Sequence, residues 1–282
     1  ATGDVTVNIS TCRATGHDFL DIGTGGFNAT NYPNFIFGPP GEKNSAQEVV
    51  EKKNTSIVEV GAFEADASLG LQDLQQDDLA TPRIKILMNG SDELEANENL
   101  KMGQIYNNVT GDAFDGKEGI IVVPCAYERQ YAEWLPTRGK GNPPQTTYDA
   151  NSDILTKTTR SKEDNKDYLE NGNYIETNAN HFVIVYDSKT GVGTPALITM
   201  KSTQLKKSRK WNSMMLNIRI PGSNGPFNPP SFSHMYKLKV KKEDNDKGKW
   251  FGWEIELVGP VTNMDLYNQA KLFHTSIKSG EV

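Results

Sequence analysis

Alternation of apolar and polar residues begins in earnest near residue 81. Arg83-Ile84-Lys85-Ile86-Leu87-Met88 alternates at its start and reads as a strand, and so does Gly103-Gln104-Ile105-Tyr106-Asn107, closed by a turn at Thr110-Gly111-Asp112. Residues 119–134 are the strongest extended segment. Ile120-Ile121-Val122-Val123 is apolar on both faces and belongs in the middle of a sheet. Beyond Pro124 the run alternates, placing Cys125, Tyr127, Arg129 and Tyr131 on one face and Ala126, Glu128, Gln130 and Ala132 on the other. A proline midway predicts a bend or bulge, and long bent first strands suit small closed barrels.

Residues 181–186 and 195–200 read as a hairpin with a longer loop holding Gly191 and Gly193. The period then changes. Over 202–217 it is helical, with Ser202 placed to cap the first turn. Leu205, Trp211, Met215 and Leu216 share one broad face, Lys206, Lys207 and Lys210 lie opposite, and Arg209 sits at the edge of the apolar stripe. Residues 232–242 return to period two, with Phe232, His234, Tyr236, Leu238 and Val240 on one side and Lys237, Lys239 and Lys241 on the other. With 249–258, which carries Trp250, Phe251 and Trp253, they predict a hairpin with a basic, partly aromatic outer face. Residues 262–277 predict an amphipathic helix with Leu266, Ala270, Phe273 and Ile277 on its inner side.

Two stretches lack such order. Residues 1–60, rich in Gly, Asn and Thr, predict an irregular or short-stranded N-terminal segment, and 61–80 an acidic linker, leaving 81–282 as the main domain. Within that domain, residues 136–178 form a polar excursion with Pro143-Pro144, expected to be a mobile insertion.

Charge changes the picture. The 282 residues carry a net charge of −6, but residues 1–100 hold −10, 101–200 hold −3 and 201–282 hold +7. A polyanion would meet a basic final third, not an averaged acid. With 36% hydrophobic residues and a mean hydropathy of −0.59, no stretch approaches the apolar run a spanning helix needs, and neither a membrane partner nor a signal peptide is expected. Two cysteines, Cys12 and Cys125, exclude a disulfide framework and a four-cysteine zinc site.

Catalytic chemistry finds little to stand on. Gly23-Thr24-Gly25-Gly26 lacks the Gly-Lys-Ser/Thr of a phosphate loop, and no Gly-x-Ser-x-Gly elbow is present. The histidines His17, His181, His234 and His274 are too scattered for zinc. Asp244-Asn245-Asp246-Lys247-Gly248 has neither the sixth-position Gly nor the twelfth-position acid of a calcium loop. Neither a metal nor another cofactor is expected. Glu254 and Glu256 on one strand face leave a metal-dependent nuclease as a distant alternative.

What remains is basic and aromatic. Single strands of nucleic acid are held by cationic grooves that track phosphates and by rings on which bases stack. Tyr127, Arg129 and Tyr131 put ring, guanidinium and ring along one strand face; Lys237, Lys239 and Lys241 line another, with Trp250 beside them; Lys201, Lys206, Lys207 and Lys210 add helix cations. The same residues have plainer uses, since tyrosines pack in sheets and lysines guard edge strands.

Several stations in order resemble single-stranded DNA-binding proteins of tailed bacteriophages: Asp78-Leu79-Ala80-Thr81-Pro82-Arg83-Ile84-Lys85, Gly103 to Gly111, the 120–134 strand, Lys201 to Asn212, and the hairpin ending in Asp246-Lys247-Gly248-Lys249-Trp250. The resemblance covers about two-thirds of the chain. It implies a mainly β fold with α additions, an elaborated five-stranded oligonucleotide-binding (OB-fold-like) barrel. It also implies non-catalytic strand coating in phage replication or recombination, in the cytoplasm of the infected host. The partners implied are single-stranded DNA and phage replication proteins, with a homodimer as one assembly. Ser276 to Val282 is not the acidic tail that many such proteins carry. Thr15 to Phe27 and Asn31-Tyr32-Pro33-Asn34 look instead like segments of cyanophage virion structural proteins, so a virion role is the alternative function.

Overall fold

The computed structural model describes residues 63, 65–74, 78–137, 142–245 and 248–280. The expectations for residues 1–60 lie outside the described residues, as do Cys12, His17, Asp246 and Lys247. The chain divides into two units, Ala1–Ala67 and Ser68–Val282, and every element below belongs to the second.

That unit is mainly β. A three-stranded antiparallel sheet comes first: β1 (Ile84–Ile86), β2 (Ile105–Asn107) and β3 (Ala113–Phe114), with a short helix α1 (Asp92–Ala96) between β1 and β2. Then come β4 (Ile120–Trp134), β5 (Thr146–Asp149), β6 (Thr159–Arg160), β7 (Asp167–Tyr168), β8 (Tyr174–Asp187) and β9 (Val192–Lys201). The helix α2 (Leu205–Leu216), the hairpin β10 (His234–Asn245) and β11 (Gly248–Pro260), and the helix α3 (Met264–Ser279) complete the unit. The large sheet has eight strands in the order β11-β10-β4-β8-β7-β6, with β5 also on β4 and β9 also on β8, and it curls into a half barrel. All its named pairings are antiparallel. Five strands are long: β4, β8, β9, β10 and β11.

Period two sorts side chains onto two faces. On one, Val122, Val183, Ile198, Met200, Tyr236, Leu238 and Trp253 form a core with Trp211 of α2. On the other, Val123, Ala126, Phe182, Ile184 and Leu197 pack against Leu266, Ala270, Phe273 and Ile277 of α3. The two helices therefore cover opposite faces of the sheet.

Pro124 does what a proline inside a strand must, and the register of β4 on β8 shifts between Pro124 and Ala126. The bulge expected at the proline is present, and its extra residue is Cys125, which turns toward the α3 core and leaves the face of Tyr127, correcting the face expected for it. Its thiol is buried, which pushes its pKa up to about 12. Its carbonyl accepts from Ser231 Oγ at 3.2 Å and from His274 Nδ1 at 2.8 Å. Phe232 lies ahead of β10 in a 3-10 turn (Ser231–Ser233) and joins the α3 core rather than the face of Tyr236 and Leu238, and a second register shift falls between Met235 and Tyr236.

Three further expectations are corrected. Ser202 does not cap α2 with its side chain. It has φ +51° and opens a 3-10 turn (Ser202–Gln204) that runs into the helix, so its backbone makes a sharp left-handed turn where a capping residue would be extended. The C-terminal helix begins at Met264 and is capped by Asn263, whose side chain accepts from the Asp265 and Leu266 amides. The polar excursion carries β5, β6, β7 and the first turns of β8, which starts at Tyr174. Glu176, Thr177 and Asn178 are half-buried strand residues, and their polarity hid the strand from a hydrophobic pattern.

Candidate nucleic-acid interface

Helix α2 separates two openings. The smaller, about 200 Å³, is lined by Tyr127, Arg129 and Tyr131 of β4, by Leu155, Thr177 and Ala179, and by Leu205, Ser208 and Arg209. The larger, about 670 Å³, is lined by Ser202, Thr203, Lys206, Lys207, Arg209 and Lys210 with Glu243 and Trp250 of the hairpin. Arg209 lines both, so one helix edge joins a ring-and-guanidinium cavity to a cationic cleft.

The helix is held there by aromatic stacking. Tyr127 lies 5.1 Å from the His181 ring, His181 stacks on Trp211 at 4.5 Å and 21°, and Trp211 meets Tyr236 edge-on at 5.7 Å. Gln204 ties the first turn to the β11 edge, its carbonyl accepting from the Trp253 amide at 3.0 Å and its amide donating to the Phe251 carbonyl at 3.4 Å. Trp211 buries completely, and Lys206, Arg209 and Lys210, turned away from it around the helix, stay exposed. Amphipathic sequence thus becomes a core anchor with a cationic rim.

His181 is 1% exposed and shares a 2.8 Å hydrogen bond with Ser208 Oγ. Burial pulls its pKa down to about 3, so it is neutral in the folded protein near neutral pH. The unfolded chain binds the proton near pH 6.5 and the folded chain does not, so stability falls as pH drops from there towards 3 and is unaffected above it. The loss is expected to approach about 1.4 kcal/mol per pH unit inside that window. Urea midpoints measured from pH 8 to pH 4 should show this slope in the wild type and a shallower one in His181→Gln.

The expected site residues do not all meet. Tyr127 and Arg129 stand at the smaller cavity, and the phenols of Tyr127 and then Tyr131 hold the Arg129 charge more firmly than usual. Tyr131 is only 6% exposed and packs with Ile154 and Ile175, so it offers no open ring face for stacking. Lys206, Lys207, Lys210 and Trp250 come together in the larger cleft. Lys201 lies outside it, paired with Glu176 at 3.0 Å. Lys237, Lys239 and Lys241 line neither opening, and Lys239 and Lys241 are answered across the hairpin by Glu256 at 2.8 Å and Glu254 at 3.7 Å. A single trough joining ribbon lysines to strand tyrosines is therefore corrected to a helix-centred cleft, because acids on β11 lie diagonally across the hairpin from Lys239 and Lys241 and pair with them.

Residues that the sequence pattern did not single out also build the site. Helical spacing sets Arg209 only at the edge of the apolar stripe, yet it lines both openings. Glu243 had a signal, since it is the one acid that continues the period-two series Lys237, Lys239, Lys241. Its carboxylate accepts from Lys207 Nζ and, at 3.0 Å, from Trp250 Nε1. Lys207 first, and the nearby Lys241 charge in smaller part, hold it below the ordinary carboxylate range. Among the described residues no group of three or more His, Cys, Asp or Glu could hold a metal ion, and no helix is long and apolar enough to cross a membrane.

A family of bacteriophage proteins matches residues 51–282, so this half-barrel with its helix-borne cleft is a phage protein. The chain belongs to the Pam3 phage gp34-like protein family. No curated protein and no solved structure matches it.

Proposed function

We propose that this phage protein binds single-stranded DNA without catalysis and without sequence preference, through the cleft along α2. The observation that supports this best is the density of cations on the helix's first two turns. Lys206, Lys207, Arg209 and Lys210 line one opening, and among the described residues Lys206, Arg209 and Lys210 have no ion-pair partner. The first turn has no acid. Cations near a helix N-terminus oppose the macrodipole, at about 0.3–1 kcal/mol each, unless an anion answers them. Phosphates spaced along a strand would answer several at once. Trp250 and Tyr127, both half-buried, are the rings on which bases stack, at about 1–3 kcal/mol per base. In this reading the five long strands are the elaborated oligonucleotide-binding barrel, and the work is strand coating during phage replication or recombination in the infected host.

Anisotropy titrations with a labelled oligo-dT strand and with a duplex test the proposal. The strand should bind more tightly than the duplex, and log Kd should rise with log salt at a slope of about 2–3, from three or four neutralised phosphates. Salt-independent binding, or no binding at low salt, overturns it. Strand cleavage on adding magnesium or manganese would overturn the non-catalytic part.

A further inference from the structure

One carboxylate stands inside the cationic cleft, and its surroundings are built around it. Glu243 Oε1 accepts from Lys207 Nζ, and Oε2 accepts from Trp250 Nε1 at 3.0 Å. The side chains of Lys207 and Glu243 are 26% and 22% exposed, so the pair is partly withdrawn from water and screened less than a surface pair. Beneath the carboxylate lies Gly252. A Cβ there would come within 2.8 Å of Glu243 Oε2 and 3.1 Å of Gln204 Nε2, so the missing side chain is the space in which the carboxylate sits. Lysine ammonium, indole N–H and glycine floor make a seat for one anionic group, within a cleft whose other charged lining residues are all basic.

Resting on the strand-binding reading above, we infer that Glu243 is a built-in counter-anion that occupies the Lys207 position of the cleft and competes there with a strand phosphate. Its oxygens take the donors that a phosphate oxygen would take, a charge-assisted contact from lysine and a neutral one from indole. While Glu243 holds its seat, Lys207 contributes no counterion release, and Trp250 is turned by its N–H toward the hairpin. The consequence is a weaker and more readily reversed grip than the number of cations suggests, which suits a protein that must leave its strand. Nothing else about the cleft changes, since Lys206, Arg209 and Lys210 are not engaged by Glu243.

Glu243→Gln keeps the shape and an acceptor oxygen and removes the charge. It should tighten oligo-dT binding about five- to tenfold near 0.1 M salt and steepen the salt slope by about 0.7, the increment for one more phosphate on a single strand. Lys207→Gln placed on Glu243→Gln should abolish the gain, so that the two changes together tighten binding far less than Glu243→Gln alone, a non-additivity that independent sites do not show. Gly252→Ala crowds the carboxylate from below, against the far end of a side chain, and should shift affinity in the same direction; it serves if Glu243→Gln unfolds. If the wild type binds and both Glu243→Gln and Gly252→Ala bind no more tightly with an unchanged slope, Glu243 is a structural clamp for Trp250 and the inference fails alone. If the wild type does not bind, the strand-binding reading fails and takes this inference with it.

Discussion

Trp211→Ala is expected to destabilise the protein by about 3–5 kcal/mol, the usual range for deleting a fully buried large ring. For a unit of this size that lowers the thermal midpoint by roughly 6–20 °C. The ring is 0% exposed and lies between His181 and Tyr236, so its removal empties the centre of the core that joins α2 to the sheet. The loss should fall on the site as well as on the fold, because Lys206, Arg209 and Lys210 are held in place by the same helix. Trp211→Phe separates the two contributions of the indole. Its Nε1 is buried without a hydrogen-bond partner, so a phenyl ring gives up bulk but no bond, and the cost should stay near 1 kcal/mol. Thermal and urea unfolding of the two variants side by side provide the check. A Trp211→Ala protein as stable as wild type would mean that α2 is anchored by something other than this stack.

The triple change Lys206→Gln, Arg209→Gln, Lys210→Gln should weaken oligo-dT binding about 100-fold near 0.1 M salt and lower the salt slope by about 2, three increments of roughly 0.7 each. Folding should hardly respond, since these side chains are exposed and unpaired among the described residues and lie near a helix end where positive charge is unfavourable. The ribbon gives the contrast. Lys239→Gln disrupts a pair with Glu256 on the hairpin, so its effect on strand affinity should stay within about twofold. A triple variant that keeps wild-type affinity, with Lys239→Gln losing it, would move the interface from the helix to the hairpin.

How much of this could be read from the residues follows from what each pattern encodes. Apolar runs located the start of β4 and most of β9, which are buried on both faces, and period two located β10 and β11, which bury one face and turn their polar residues away from the core. It failed on the first half of β8, where Glu176, Thr177 and Asn178 are half-buried in polar company, Thr177 beside Arg129 at the smaller cavity. Helical period located α2 and the cationic side of it. The short elements, α1, β3, β6 and β7, are too brief to show a period. The site was legible as ingredients and not as an arrangement. Spacing along β10 shows that Lys237, Lys239 and Lys241 share a face, but their pairing with Glu256 and Glu254 depends on the hairpin register, which the two-strand pattern does not fix. Tyr131 follows Tyr127 at the same parity, and only the chain crossing at Ile154 decides that it is covered.

The carbonyl freed by the bulge in β4 has a mechanical consequence. It is gripped by Ser231 ahead of the hairpin and by His274 in the last helix, while two residues further along the same strand Tyr127 lines the smaller cavity. A single main-chain oxygen thus pins three distant stretches of chain to one point beside the proposed binding face. A partner that tugged on α3 would have a short lever to that ring, on the opposite side of the sheet from where DNA would lie.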